Sequence, residues 1–125
     1  MAGGAVPEAS KSIPVALGAL VKLVGTELRK RLENSCSSHL LDMRVFGSRA
    51  RGDARPDSDL DLFVMVDTAD RDIRTAIFDA AWDVGYELGL PFSIHPLVMT
   101  RQHFEELRKR ERLIAREIDT DGITL

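Results

Sequence analysis

The sequence predicts an α/β chain, an α+β sandwich in which helices pack on a small mixed sheet. Two observations carry that expectation. Apolar residues recur at three- and four-residue steps from Ile13 to Leu32 and again from Ile73 to Leu88, the period of one helix face. Between and after these stretches, Leu40–Phe46, Asp59–Val66 and Phe92–Met99 are short apolar runs bounded by turn residues, as strands are. Helical and extended segments joined by short links pack as layers around a common sheet.

The first helix is read from Ser12 as its cap, with Pro14 in the tolerated first turn and Leu17, Leu20, Val21, Val24, Leu28 and Leu32 on one face. Leu40–Phe46 ends at Gly47 and is expected to pair with Asp59–Val66 as a hairpin-like unit. Asp70 then caps a helix whose Ile73, Ile77, Ala80, Ala81, Val84 and Leu88 line one side, ending at Gly89-Leu90-Pro91. After the strand Phe92–Met99, Thr100 caps a last helical region reaching Ile118. Its apolar residues lose their stripe across Arg108–Arg112, which predicts a break there. Trp82 and Tyr86, four apart, are expected to pack on the sheet or on a partner.

With 125 residues, 44% hydrophobic and 30% charged, the chain suits one domain, read as residues 12–125 behind a disordered start at 1–11. A net charge of -3 disfavours a broad basic face for nucleic acid, whose affinity comes largely from neutralising phosphates. One cysteine, Cys36, allows neither an intrachain disulfide nor a multi-cysteine zinc site and suits a reducing cytoplasm. No run of about 18 apolar residues is present, so no membrane span is expected.

The stretch VFGSRARGDARPDSDLDLFVMV, residues 45–66, concentrates the chemistry. On a strand Asp59, Asp61 and Phe63 share one face, while Leu60, Leu62, Val64 and Val66 share the other, which is read as the core side. Carboxylates at i and i+2 lie about 6–7 Å apart and repel by about 2–3 kcal/mol at an effective dielectric near 20. A divalent cation would offset that repulsion, and Mg2+ takes one or two carboxylates with substrate phosphates and water. Upstream, Gly47 lets backbone approach a ligand and the Ser48 hydroxyl can bind phosphate, with Arg49, Arg51 and Arg55 adding positive charge. The alternative for each arginine is a solvated loop charge, and for the aspartates a loop preceding a strand that begins at Leu62. Arg51-Gly52-Asp53 matches a cell-attachment tripeptide and is read as coincidence.

Gly47-Ser48, ten residues, then Asp59-Leu60-Asp61 resembles the signature of the polymerase-beta-like nucleotidyltransferases, and GSRARGDARPDSDLD is similar to their minimal nucleotidyltransferase (MNT) branch. The resemblance implies the polymerase-beta-like fold, Ser48 on the triphosphate of ATP, Asp59 and Asp61 on metal ions, and transfer of AMP to an acceptor hydroxyl. In the family a third carboxylate commonly lies on a later strand; the alignment of Ile94-His95-Pro96-Leu97-Val98 with that segment puts His95 in its place. An imidazole is a chemically reasonable proton acceptor, although a half-buried strand histidine without chemistry fits the residue as well. Relatives of this branch pair, as antitoxins, with a small helical HEPN-type toxin, which implies such a partner and a homo- or hetero-oligomer. Two alternatives stand beside this reading. One is a binding module on the same fold that covers its partner without turnover; the other, a nucleotidyltransferase acting on a small hydroxylated molecule such as an aminoglycoside.

Overall fold

The computed structural model describes residues 15–35 and 39–125. Ser12, Ile13, Pro14, the 1–11 start and Cys36 lie outside the described residues. Helix α1 spans Val15–Ser35, strand β1 Leu40–Phe46, the short α2 Ser48–Arg51 and β2 Leu60–Val66. Helix α3 follows at Arg71–Glu87, then β3 at Ile94–Thr100, α4 at Arg101–Lys109, α5 at Leu113–Asp121 and a two-residue β4 at Ile123–Thr124.

The sheet order is β3-β2-β1-β4. β1 runs antiparallel to β2, pairing Phe46 with Asp61 and Val45 with Leu62, and antiparallel to β4 through Arg44–Thr124 and Val45–Ile123. β2 and β3 are parallel over seven pairs, from Leu60–Ile94 to Val66–Thr100. A parallel pair needs a crossover of a dozen or more residues, which α3 supplies.

Local chemistry sets the helix limits. The Asp70 carboxylate accepts from the Ile73 N–H at 2.9 Å and starts α3, while the Thr100 hydroxyl accepts from the His103 N–H at 3.1 Å and starts α4. The expected break separates α4 from α5, and Glu111 adopts a φ of 52° in the turn between them. Arg108 joins the two helices: its Nε and Nη2 donate to the Asp119 carboxylate at 2.7 Å each, and it also pairs with Glu105.

The leucine side of β2 is core, as expected. Leu60, Leu62, Val64 and Val66 pack with Val24, Leu28 and Leu32 of α1 and with Ile77 and Val84 of α3. The expectation that only this side is core is corrected by the structure. Phe63 and Met65 are buried on the opposite face with Phe46, Met99, Phe104 of α4 and Ala115 and Ile118 of α5. The Phe63 and Phe104 rings stand 4.9 Å apart at a tilt of 44°. Helices therefore cover both faces of the sheet, and β2 has no solvent-facing side beyond its first residues. Fully burying one such side chain is worth about 1.5–3 kcal/mol, so each face is a substantial share of the stability.

Two further differences concern strand limits. β2 begins at Leu60, so Asp59 stands one residue before it, and β3 begins at Ile94 rather than Phe92. β4 has no counterpart in the sequence reading because two residues are too short for a periodic signal.

Candidate active site

β1 leaves the sheet at Phe46, and the chain turns at Gly47 with φ 75° and ψ -152°, a backbone state essentially confined to glycine. The reason for the glycine is spatial as well. A Cβ added there would lie 2.4 Å from Oδ2 of Asp61, so the Asp61 carboxylate rests directly over the glycine. Helix α2 begins at once with Ser48, whose hydroxyl makes no hydrogen bond among the described residues. It closes at Gly52, in the left-handed region at φ 85°.

Asp61 is flanked across the ladder by Phe46 on β1 and by His95 on β3. Partnered residues on neighbouring strands point to the same face, so the imidazole and the carboxylate emerge side by side. Asp59, two residues earlier, approaches the same imidazole: His95 Nε2 lies 3.5 Å from Asp59 Oδ2. Residues 46–48, 59–61 and 95 thus meet at the starts of β2 and β3, on the sheet face that α4 and α5 cover farther along.

Burial pushes the Asp61 carboxyl above the usual carboxylate range; His95 opposes that, Asp59 and Glu117 add to it, and Arg51 counters it. Glu117, on α5, is a carboxylate in the field of this site that sequence reasoning missed. Its only signal was its position one residue before Ile118 on the helix that packs over Phe63.

The structure separates the arginines. Arg51 is exposed, pairs with Asp53 at 3.2 Å and remains in the electrostatic field of Asp61. Arg55 is also exposed, and its backbone N–H donates to the Ser58 hydroxyl at 2.9 Å. Arg49 differs from the expected phosphate contact: it is 3% exposed, and its guanidinium points into the loop that follows. Nε and Nη2 donate to the Ser58 carbonyl at 3.1 and 2.7 Å, and Nη2 also reaches the Pro56 carbonyl at 3.1 Å and the Arg55 carbonyl at 3.3 Å. The same group stacks on Phe92, 3.8 Å from the ring centroid. Its Nε and Nη2 donors shape residues 55–58, the approach to Asp59, and burial lowers its pKa.

Asp59 and Asp61 suit a hard divalent cation. Both offer carboxylate oxygens on one face, and neither is ion-paired with lysine or arginine among the described residues. No group of three or more His, Cys, Asp or Glu side chains able to hold a metal occurs among the described residues. A cation bound here would therefore complete its shell with oxygens from a substrate and water, the habit of Mg2+ rather than of a caged structural metal.

Trp82 and Tyr86 do not pack on the sheet; they are 75% and 80% exposed on α3. No helix among the described residues is long and apolar enough to cross a membrane.

Residues 27–119 match the family model described as nucleotidyltransferase domain. No curated protein matches the chain. Among solved structures, the chain is similar to a toxin-antitoxin crystallised with AMP-PNP, at 21% identity over 79% of this chain and 69% of that one, with a TM-score of 0.51. It is also similar to a mutant of the toxin-antitoxin MntA-HpeT, at 19% identity over the same shares and a TM-score of 0.50. At these identities the likeness is one of fold.

Proposed function

Because the chain belongs to the nucleotidyltransferase domain family, we propose that it transfers AMP from ATP to an acceptor hydroxyl on a protein partner, in the manner of an MNT antitoxin acting on its toxin. The observation that carries this reading is the Asp61 carboxylate resting on Gly47, the residue that precedes Ser48, and in register with His95. A phosphate-binding turn, a carboxylate pair and a proton acceptor are thereby within one side chain of each other. The fold shared with a toxin-antitoxin structure holding AMP-PNP supports ATP as donor and a toxin as partner.

Asp59 and Asp61 would hold Mg2+, which when bound neutralises phosphate charge and orients the triphosphate. Ser48 would donate to a phosphate oxygen of the β,γ end, and Arg51 would add charge at the rim. The acceptor oxygen attacks the α-phosphorus, the bond to the β-phosphate oxygen breaks, and pyrophosphate leaves. The acceptor proton passes to His95 Nε2, the imidazole atom that faces Asp59 at 3.5 Å. Arg49 acts at one remove, by fixing the loop that delivers Asp59.

The binding-module reading keeps one specific support: β3 offers an imidazole at the position where the family resemblance implies a third carboxylate. One experiment separates the two. Calorimetry of ATP with and without Mg2+, on the wild type and on Asp59→Asn and Asp61→Asn, is combined with transfer of labelled AMP to a co-expressed partner. Metal-dependent ATP binding lost in both variants, with label transferred only by the wild type, is the expected result. Unchanged affinity in both variants would remove the metal assignment. Tight partner binding with no more label than the variants give would leave the scaffold.

A further inference from the structure

Helix α3 has two unlike sides. Ile73, Ile77, Ala80, Ala81 and Val84 are buried against the sheet. Phe78, Trp82 and Tyr86, at four-residue steps, form a single row on the outer side and are 49%, 75% and 80% exposed. Scattered exposed apolar residues are ordinary, but three aromatic rings in line make a contiguous patch of the kind that marks an interaction surface.

The row borders a groove of about 300 Å³ between the second half of α3 and the segment Leu90–Ile94. Gly85 lies in its wall, and a Cβ there would meet nothing within 4 Å. No neighbour within the described chain requires this glycine, although glycine weakens a helix interior. Its absence of side chain leaves room for a close approach from outside.

Charge narrows the occupant. Asp79, Asp83 and Glu87 each follow an aromatic residue by one position, so an acidic row runs beside the aromatic row. Arg31 of α1 meets Asp83 at 4.0 Å and Glu87 at 2.5 Å, while Asp79 makes no ion pair among the described residues. Two copies of this face brought together would oppose like charges, whereas an apolar stripe with cationic flanks would match both rows. At its far end the groove reaches Ser93 and Ile94, the start of β3, on the sheet face that α1 and α3 cover.

The geometry points to this groove as the docking site for an amphipathic helix of the protein partner, apolar on one face and flanked by lysine or arginine. The inference deepens the transfer reading and rests on it for the partner's identity as acceptor: a helix seated here meets the start of β3, the strand that also carries His95. Helix-in-groove recognition draws its energy from a few buried aromatic anchors, the role of Trp82 and Tyr86, and its selectivity from the flanking charges.

Trp82 is the only tryptophan of the chain, so its emission reads occupancy of the groove. The probes are two synthetic helices of about 18 residues, long enough to fold alone, with the same leucine face but with lysine flanks in one and glutamate flanks in the other. They are titrated into the full chain without nucleotide. The lysine helix is expected to shift Trp82 emission to the blue and to bind at least ~10-fold more tightly than the glutamate helix, and Tyr86→Ala should weaken it by ~10-fold or more. Asp79→Lys/Glu87→Lys should reverse the preference, with circular dichroism checking that each variant is folded. Equal binding of both helices, or binding of neither, overturns the proposal. So does sedimentation showing that the chain alone self-associates with burial of Trp82, which would make the occupant a second copy. Because no ATP is present, failure here is distinct from failure of transfer: a wild type that selects the lysine helix yet labels no partner loses the enzyme reading and keeps the groove.

Discussion

Gly47→Ala isolates the contact on which the site reading depends. Two effects follow from one methyl group. The first is conformational: φ 75° with ψ -152° lies in a region that costs a residue with a side chain about 1–3 kcal/mol. For a domain of this size that lowers the melting temperature by about 4–12 °C. The second is steric. The new Cβ would stand 2.4 Å from Asp61 Oδ2, where ordinary non-bonded contact is about 3.5 Å, so the carboxylate must retreat by about 1 Å. That retreat is cheap for folding, because the end of a side chain moves rather than backbone. It is expensive for chemistry, where a misplacement of about 1 Å costs about 10²-fold. The variant should therefore stay folded, melt about 4–12 °C lower, and lose Mg2+-dependent ATP affinity and about 10²-fold in transfer. Gly85→Ala is the matched control for stability and ATP binding, though not for transfer to a partner seated in its groove: with nothing within 4 Å of its Cβ it should gain about 0.5–1 kcal/mol of stability. Thermal melts, calorimetry and the labelled-AMP assay read the set. A Gly47→Ala protein with wild-type ATP binding and transfer would refute the claim that the Asp61 carboxylate is held in place over this glycine.

Three other outcomes follow. His95→Ala should slow transfer by about 10²–10⁴-fold with ATP affinity nearly intact; a change in melting temperature without loss of rate would leave His95 as a packing residue. Arg49→Ala should destabilise by about 2–4 kcal/mol, since its guanidinium holds the Ser58, Pro56 and Arg55 carbonyls and stacks on Phe92, and Arg49→Lys should not restore the loss because an ammonium lacks the planar fork. An Arg49→Ala chain as stable as wild type in urea would remove it as the loop's anchor. The hydrogen bond from Arg108 holds the Asp119 carboxyl below its usual range. A depressed folded-state value means the pair stabilises fully above the unfolded carboxyl range and loses that contribution as pH falls through the folded value. Both side chains are partly exposed, so Arg108→Ala should cost about 0.5–1 kcal/mol at neutral pH and progressively less in acid, measured by urea melts across pH. An acid-independent difference would contradict the linkage.

Periodicity made α1, α3 and the break before α5 legible, because each depends on residues close in sequence. The burial of Phe63 and Met65 was not, since it depends on Phe104 and Ile118 arriving from more than 35 residues downstream. The unbroken apolar run from Leu62 to Val66 was its trace: a strand with one wet face would alternate. In the site, Gly47, Ser48, Asp59 and Asp61 stood out by spacing. Arg49 resembled its neighbours Arg51 and Arg55 in composition, and only the fold of residues 55–58 around its guanidinium distinguishes it. Sequence gives a charge its position along the chain but not the direction in which it is turned.

The seven-pair parallel ladder between β2 and β3 makes position 95 a fixed socket. The separation between the backbones bearing Asp61 and His95 is set by strand spacing, about 4.8 Å, and by the peptide bond from Ser93 that accepts the Leu60 N–H at 2.9 Å. It does not depend on which side chain sits there. A carboxylate, an imidazole or an inert residue at 95 would be delivered to the same spot without redrawing the backbone, so a single codon changes the chemistry offered beside Asp61 while the outer face of α3 stays as it is.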